Sequence, residues 1–304
     1  MSLNSLRITT SQLAKICGVS QGTVDRALND RAGIHPETKK RIVEKAKEYG
    51  FRPSSGNQKQ QEDLKQIGVV IFNLNNFYFA QLITEIEKSC RSAGYSVVVM
   101  MTNYDKSCEI ESIKKLYRMG VEGIIVCPTN SGEAYFNFLH ELGIPVVTVG
   151  NDIGYDGFCG IDDRRAMADM TKYVLEDGCR RVVYFSPAMK YEDAFAQKER
   201  LKGFLDATSE KEMEYKLCSS IDEVGEEDVP VICSTDYYAL DVFFRRGNRR
   251  ITGFDNISLV EKYDLPIDSV GSDISDIALQ AVKMIREKQL RRCIMRHYLV
   301  KRWQ

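Results

Sequence analysis

The sequence predicts a two-part α/β protein: a three-helix helix-turn-helix headpiece, then a two-lobed body of two parallel sheets flanked by helices. Three observations predict it. Charge divides unevenly along the chain. The first 50 or so residues hold short helical segments with cap and stop signals. From Lys65 onward, short Val- and Ile-rich runs alternate with helical stretches, the pattern of strands covered on both faces.

The charge split is hidden in a near-neutral total of −1. Residues 1–65 hold 12 Lys+Arg against 7 Asp+Glu, a net +5, which leaves −6 on the remaining 239 residues. A small basic head on an acidic body points to nucleic acid. No apolar run approaches the roughly 18 residues of a membrane span. Nine cysteines without a C-x-x-C pair, several inside apolar runs, fit a reducing, cytoplasmic location better than an oxidising one. Met1 to Ser5 show no basic region followed by an apolar one, so no secretory signal is expected. His35, His140 and His297 lie far apart, and neither a metal nor a cofactor is expected.

In the head, Thr9-Thr10-Ser11-Gln12 reads as a capping box, and Leu13, Ala14, Ile16 and Cys17 give the helix one apolar face. Gly18 stops it. Ser20 caps a second helix with Val24, Ala27 and Leu28 inward and Gln21, Gly22, Asp25, Arg26 and Asn29 outward. Pro36 and Gly50 bracket a third, Glu37 to Tyr49, whose inner face is Ile42, Val43, Ala46 and Tyr49. Gln pairs two-pronged with adenine and Arg with guanine, whereas Lys39, Lys40 and Arg41 suit phosphates. A small helical bundle with a solvated face is the alternative.

The run Thr9 to Asn29, continued through Thr38-Lys39-Lys40-Arg41-Ile42 and Tyr49-Gly50-Phe51-Arg52-Pro53, resembles the headpiece of the lactose-repressor (LacI-type) family. The resemblance implies base reading by Gln21, Gly22 and Arg26, tuned by Asp25. Thr9, Thr10, Ser20, Thr23, Asn29, Ile34 and Thr38 would support the reading helix or touch the DNA backbone. His35 stands at the cap of the third helix, where it either meets phosphate or only caps. The match fails in the linker. Asn57, Gln58 and Gln60 stand where the family has the Ala, Arg and Leu of a DNA-induced hinge helix, so a flexible polar linker is expected.

In the body, strands are expected at Ile67–Phe72, Val97–Met100, Gly123–Val126, Val146–Val149, Arg181–Phe185, Val231–Ser234, Arg250–Phe254 and Ile294–Val300. Ligands of such sheets bind beyond the carboxyl ends of the strands. Those ends carry aromatics with Asn, Asp and Arg, a set suited to a polyhydroxylated ligand. For any one position the alternative is a core residue or helix cap. Leu74 to Phe79, Gly160-Ile161-Asp162-Asp163, Arg200 to Phe204, Ser234-Thr235-Asp236 and Gly253-Phe254-Asp255 resemble, in order, motifs of the LacI-type effector domain and the periplasmic ribose-type binding proteins. The resemblance implies ligand contacts at Asn76, Tyr78, Phe79, Arg200, Thr235 and Asp255. Asn130 and Tyr191 are added from their places after strands, while Asp162 and Asp236 read as structural. Gly150-Asn151 replaces the Asp-Arg hydroxyl clamp common in sugar-binding relatives.

The expected organisation is a headpiece at 1–53, a linker at 54–66 and an effector-binding and dimerisation domain at 67–304. Its first lobe is 67–158 with 272–289, its second 159–271 with 290–304. The implied function is a repressor-type regulator that binds double-stranded operator DNA as a homodimer and a small effector, favouring a carbohydrate. The alternatives are a cytoplasmic solute sensor without hinge-driven repression, or an effector that is not a sugar. An enzyme is not expected: the sequence has no G-x-S-x-G, P-loop, G-x-G-x-x-G or paired His/Cys nucleophile.

Overall fold

A computed structural model describes residues 10–28, 31–49, 51, 65–187, 195–247 and 249–303. The chain divides into two compact units between Leu64 and Lys65.

The first unit contains α1 (Thr10–Cys17), α2 (Gln21–Leu28) and α3 (Pro36–Glu48). Gly18, at φ +63, turns the chain out of α1, and the Val19 amide closes the helix end on Ala14 O at 3.0 Å. Ser20 Oγ accepts from the Thr23 amide at 3.2 Å, the N-cap the sequence predicts. Leu13, Ala14, Cys17, Val24, Ala27, Ile42 and Ala46 form the core. Three expected core residues lie outside it: Ile16 and Tyr49 are each 40% exposed, and Val43 is only half-buried. So small a bundle covers only a narrow stripe of each helix, and Tyr49 falls in the turn after α3, out of helical register. The Thr9 cap, Asn29 and linker residues 54–64 lie outside the described residues.

The second unit begins with β1 (Gln66–Ile71), α4 (Phe77–Ser92), β2 (Ser96–Met101), α5 (Lys106–Met119), β3 (Gly123–Val126), α6 (Glu133–Glu141), β4 (Val146–Val149) and β5 (Phe158–Ile161). It continues with α7 (Asp163–Leu175), β6 (Arg181–Phe185), α8 (Phe195–Glu210), β7 (Glu214–Cys218), α9 (Ile221–Val224), β8 (Val231–Cys233), α10 (Asp236–Arg246), β9 (Ile251–Phe254), α11 (Ser258–Lys262) and β10 (Ile267–Ser272). Last come α12 (Ile274–Glu287), β11 (Arg292–Met295) and β12 (His297–Val300).

Among the described residues these strands make two six-stranded sheets, ordered β11-β5-β4-β3-β1-β2 and β12-β10-β9-β8-β6-β7. Each order reverses direction beside β1 or β6, which opens a crevice at the carboxyl ends of the strands. Val69, Val70, Ile125 and Val147 in the first sheet, and Val183, Val231 and Ile232 in the second, are buried as fully covered parallel strands require.

Two expectations change. The single terminal strand expected over Ile294–Val300 breaks at Arg296: β11 pairs parallel with β5, while β12 pairs antiparallel with β10 in the other sheet. Neither sheet change is encoded locally, because strand propensity does not name a partner. In consequence β5 and β11 both belong to the first lobe, so the expected lobe limits at 158 and 289 move outward to Ile161 and Met295. The chain thus passes between lobes at Asp162, Asp273 and Arg296. Asp162 and Asp273 are both N-caps, accepting from Arg165 and Asp276 amides at 2.9 Å.

α7 and α8 pack closely because Gly203 has no side chain: a Cβ there would lie 2.0 Å from the backbone oxygen of Arg164. Backbone cannot yield as a side chain tip can. Gly203→Ala is therefore expected to destabilise the second lobe by about 2 kcal/mol or more. The urea midpoint reads this, and an unchanged midpoint would show that the helices separate without cost.

Candidate functional site

A cavity of about 560 Å³ lies between the two lobes of the second unit, lined from the carboxyl ends of both sheets. From the first lobe come Phe72, Asn73, Asn75 and Asn76 after β1, Asn103 and Tyr104 after β2, Thr129 after β3 and Asn151 after β4. Asp163, Gln197, Arg200, Thr235, Tyr237, Tyr238 and Asp255 face it from the second lobe.

Local sequence explains the placement. Asn76 caps α4, its Oδ1 accepting from the Tyr78 amide at 3.0 Å, so that the first turn delivers Tyr78 and Phe79 to the cleft. Thr235 caps α10 likewise, through the Tyr238 amide at 3.3 Å. Tyr78 packs against the apolar clusters of both lobes.

The floor is a buried charge group. Arg200 Nε donates to Asp163 Oδ1 at 2.7 Å, Nη1 to Ser234 O at 2.7 Å and Nη2 to Asp255 Oδ1 at 3.1 Å. Its guanidinium carbon lies 3.6 Å from the Phe254 ring centroid. Burial opposes the Arg200 charge, but Asp255 and Asp163 outweigh it and hold the guanidinium protonated. Burial pushes the Asp255 carboxyl up to about 6 against the pull of Arg200, and raises Asp163 for the same reason. Asp255 is held at φ +100, a conformation costly for a side chain with a Cβ. Next to it, Asn256 accepts from Arg302 Nη2 at 2.7 Å, and its amide donates to Ser269 Oγ at 3.0 Å.

Asp236 does not line the cavity. Its Oδ2 accepts from the Ile257 amide at 2.8 Å and its Oδ1 from Ser269 Oγ at 2.6 Å. A Cβ on Gly253 would sit 2.1 Å from Oδ1, so the glycine of the Gly253-Phe254-Asp255 run makes room for this carboxylate.

In the headpiece, Gln21, Gly22 and Arg26 of α2 are exposed on one surface. Asp25, half-buried, pairs with Arg31 at 3.1 Å, and the Ser20 and Thr23 hydroxyls are 2.9 Å apart. Thr10, Ile34 and Thr38 are half-buried, Ile34 against the core, and His35 is exposed with its carbonyl accepting from the Lys39 amide. Arg41 remains exposed while its Nη2 donates to Cys17 O at 3.3 Å, at the end of α1.

Residues 64–224 match the family of periplasmic binding proteins and sugar binding domain of LacI family. The chain belongs to this family. The motifs quoted from the sequence had pointed to it. Among curated LacI-type relatives, catabolite control protein A of Priestia megaterium is 22% identical over 307 residues, covering 92% of each chain. The HTH-type transcriptional repressor PurR of Mannheimia succiniciproducens is 21% identical, covering 92% of this chain and 91% of its own. A solved structure of the transcriptional regulator CelR with cellobiose superposes with a TM-score of 0.65 at 20% identity, over 98% of this chain and all of the other. A periplasmic binding protein/LacI transcriptional regulator from Alkaliphilus metalliredigens, complexed with D-xylulofuranose, reaches 0.68 at 22% identity over 78% and 98%. These likenesses establish the α/β fold.

Of the effector contacts expected from the family motifs, Asn76, Tyr78, Phe79, Arg200, Thr235 and Asp255 all line the cavity. Asn130 does not. Its side chain donates to Lys106 O at 3.0 Å and to buried Glu109 at 3.1 Å, and Thr129 faces the cavity in its place. Tyr191 lies outside the described residues. Asp163, beside the α7 cap Asp162, is a wall residue of the cavity, and Asp162 alone makes the cap bond. The missing clamp at Asn151 has a different use: Asn151 Oδ1 accepts from the Ala196 amide of the other lobe at 3.2 Å, while its Nδ2 donates to Pro128 O. Asn103, Tyr104, Tyr237 and Tyr238 went unread because no motif covers the end of β2 and the Ser234-Thr235-Asp236 motif stops one residue short of Tyr237.

Burial pushes the Asp236 carboxyl up to about 8, although its hydrogen bond from Ser269 favours the anion. An unfolded Asp titrates near about 4, so the fold retains this proton over a range in which the unfolded chain has lost it. Its contribution to stability is full below about pH 4 and declines as pH rises through about 8. The urea midpoint is expected to fall between about pH 5 and about pH 8, and Asp236→Asn should flatten that slope. An equal slope in both proteins would contradict the assignment.

Proposed function

We propose that this LacI-family chain is a transcription regulator: its headpiece reads double-stranded operator DNA and its cleft binds a small effector, a sugar or sugar derivative. One observation carries the reading. A headpiece exposing Gln21 and Arg26 on a Ser-capped second helix is joined in one chain to a two-lobed domain enclosing a cavity lined by aromatics, amides and carboxylates. The relatives named as repressors, and the solved regulators holding cellobiose or D-xylulofuranose, support both halves.

A homodimer is part of the reading, because one short recognition helix contacts too few bases to be selective and two half-sites supply the rest. Gln21, Gly22 and Arg26 read bases; Thr10, Ser20, Thr23, Ile34, His35 and Thr38 hold the helix or meet the backbone; Thr9 and Asn29 are assigned here on the resemblance alone. The effector is held by Asn76, Tyr78, Phe79, Arg200, Thr235 and Asp255. Effector binding changes lobe closure and through it operator affinity, a coupling typically worth about 1–3 kcal/mol. The role is regulatory rather than catalytic, in the reducing cytoplasm that suits nine free thiols. Among the described residues no helix is long and apolar enough to cross a membrane.

The DNA half is tested by selecting from a randomised duplex pool and titrating the winner at low and moderate salt. Affinity should fall by about tenfold or more between about 50 and 200 mM salt. Arg26→Ala and Gln21→Ala should each weaken the selected site by roughly 10- to 100-fold. Equal binding to selected and random duplex would reject the reading. For the cleft, a thermal-shift panel of sugars, polyols and nucleobases should yield a stabilising ligand whose effect is lost in Asp255→Asn. A shift that survives Asp255→Asn would place the ligand elsewhere.

A further inference from the structure

The cavity has a depth gradient. Its floor is polar and deeply buried: Thr129, Asp163, Arg200, Thr235 and Asp255 are each less than a tenth exposed. Thr129 is 2% exposed, and its hydroxyl has no hydrogen-bond partner among the described residues.

At the rim the chemistry changes. Tyr104 from the first lobe and Tyr237 from the second line the same cavity yet stay 54% and 47% exposed. Tyr104 is held there by the backbone. Asn103 and Tyr104 take φ +50 and +65 in succession, and the Asn103 amide is fastened to Phe72 O at 2.7 Å. A bulky residue in the left-handed region costs free energy, which a purely structural turn would avoid with glycine. The result is a ring stacked on Phe72, with centroids 4.4 Å apart and planes 18° apart. Partial desolvation against the cavity wall raises the Tyr104 phenol, and Tyr238, Asp255 and Tyr237 of the opposite lobe push it the same way. Tyr237 in turn packs edge-on against Tyr238, centroids 5.7 Å apart.

The charge of the lining is as informative. Among the described lining residues the charged side chains are Asp163, Asp255 and Arg200, which sum to −1 and engage one another. Five helices bring first-turn residues or caps to the lining: α4, α7, α10 and α12 spend first-turn amides on their own caps Asn76, Asp162, Thr235 and Asp273, and α8 gives its Ala196 amide to Asn151. A phosphate entering here would lose its water and find no unpaired cation among the described lining residues.

We propose that the cleft takes an uncharged ligand of two rings, a disaccharide or other glycoside, with its inner ring on the polar floor and its outer ring between Tyr104 and Tyr237. At about 560 Å³ the cavity lies within the range of about 300–1,000 Å³ in which small-molecule ligands are held. The proposal rests on the effector reading of the cleft given above. It makes Tyr104 and Tyr237 specificity residues, and because they come from opposite lobes, the outer ring is also what draws the mouth closed.

Calorimetric titration of the full chain tests it, using cellobiose, maltose, melibiose and sucrose, their component monosaccharides, and glucose 6-phosphate. One disaccharide is expected to bind about tenfold or more tightly than either of its components and than the phosphate. Tyr104→Ala and Tyr237→Ala should each weaken that disaccharide by about three- to tenfold while leaving its inner monosaccharide unchanged, and Tyr104→Phe should retain the affinity. A monosaccharide bound as tightly, a preference for glucose 6-phosphate, or equal losses for one ring and two would overturn the two-ring assignment alone. Binding of no sugar of any class would overturn the effector reading together with it.

Discussion

Arg200 is the interaction on which the second lobe and the cleft both depend. A guanidinium buried to this extent is tolerated only with complete pairing, since an uncompensated internal charge costs several kcal/mol. The requirement is met from separate parts of the fold: Asp163 at the start of α7, the Ser234 carbonyl after β8, and Asp255 after β9, with Phe254 beneath the guanidinium plane. Meeting it therefore sets the position of α8 against α7 and of both strand ends against each other. Gly203, three residues along α8, accommodates the resulting approach of the two helices. The same pairing leaves the cavity floor polar, directional and one charge negative.

A second constraint links this floor to the end of the chain. Asp255 and Asn256 hold positive φ, and they are pinned from behind by Ser269 and Arg302. Asp268, fully buried in β10, accepts from the Arg302 and Trp303 amides at 2.6 and 2.9 Å. β10 thus carries Asp268 and Ser269 into the interior because the segment after β12 and the Asp236 carboxylate satisfy them. Between the lobes the contacts are of another kind: Asn151 to the Ala196 amide, Gln81 to the Ser258 amide at 3.0 Å, and Tyr78 against both cores. Single hydrogen bonds of about 1 kcal/mol each are well matched to a ligand that biases closure.

Much of the architecture was legible in the residue pattern. Capped short helices with Gly18 between them gave the headpiece, and Val/Ile runs separated by helices gave most of the parallel strands. What the pattern missed has a common cause. β10 reads Ile267-Asp268-Ser269-Val270-Gly271-Ser272, too polar for a buried strand unless distant partners are known. β5 contains Cys159-Gly160 and is four residues long, and β7 lies at a sheet edge with most of its side chains exposed. In the site, residues in motifs were found, whereas Thr129, Asn103, Tyr104 and Tyr237 were not. Asn130 was preferred to Thr129 because sequence cannot tell that the Asn130 amide is already engaged by Glu109.

The sequence by itself determined the order of elements, the basic head on an acidic body, and the family motifs that carry Arg200, Thr235 and Asp255. Those follow from local periodicity, caps and composition, which act over a few residues. Only the tertiary structure decided that one apolar run splits at Arg296 between two sheets and that Asp163 belongs to a buried ion group rather than a cap. It also decided that two tyrosines more than 130 positions apart line one cavity. Such facts depend on which strand lies beside which and which lone pair is already taken, and no stretch of chain contains that information alone.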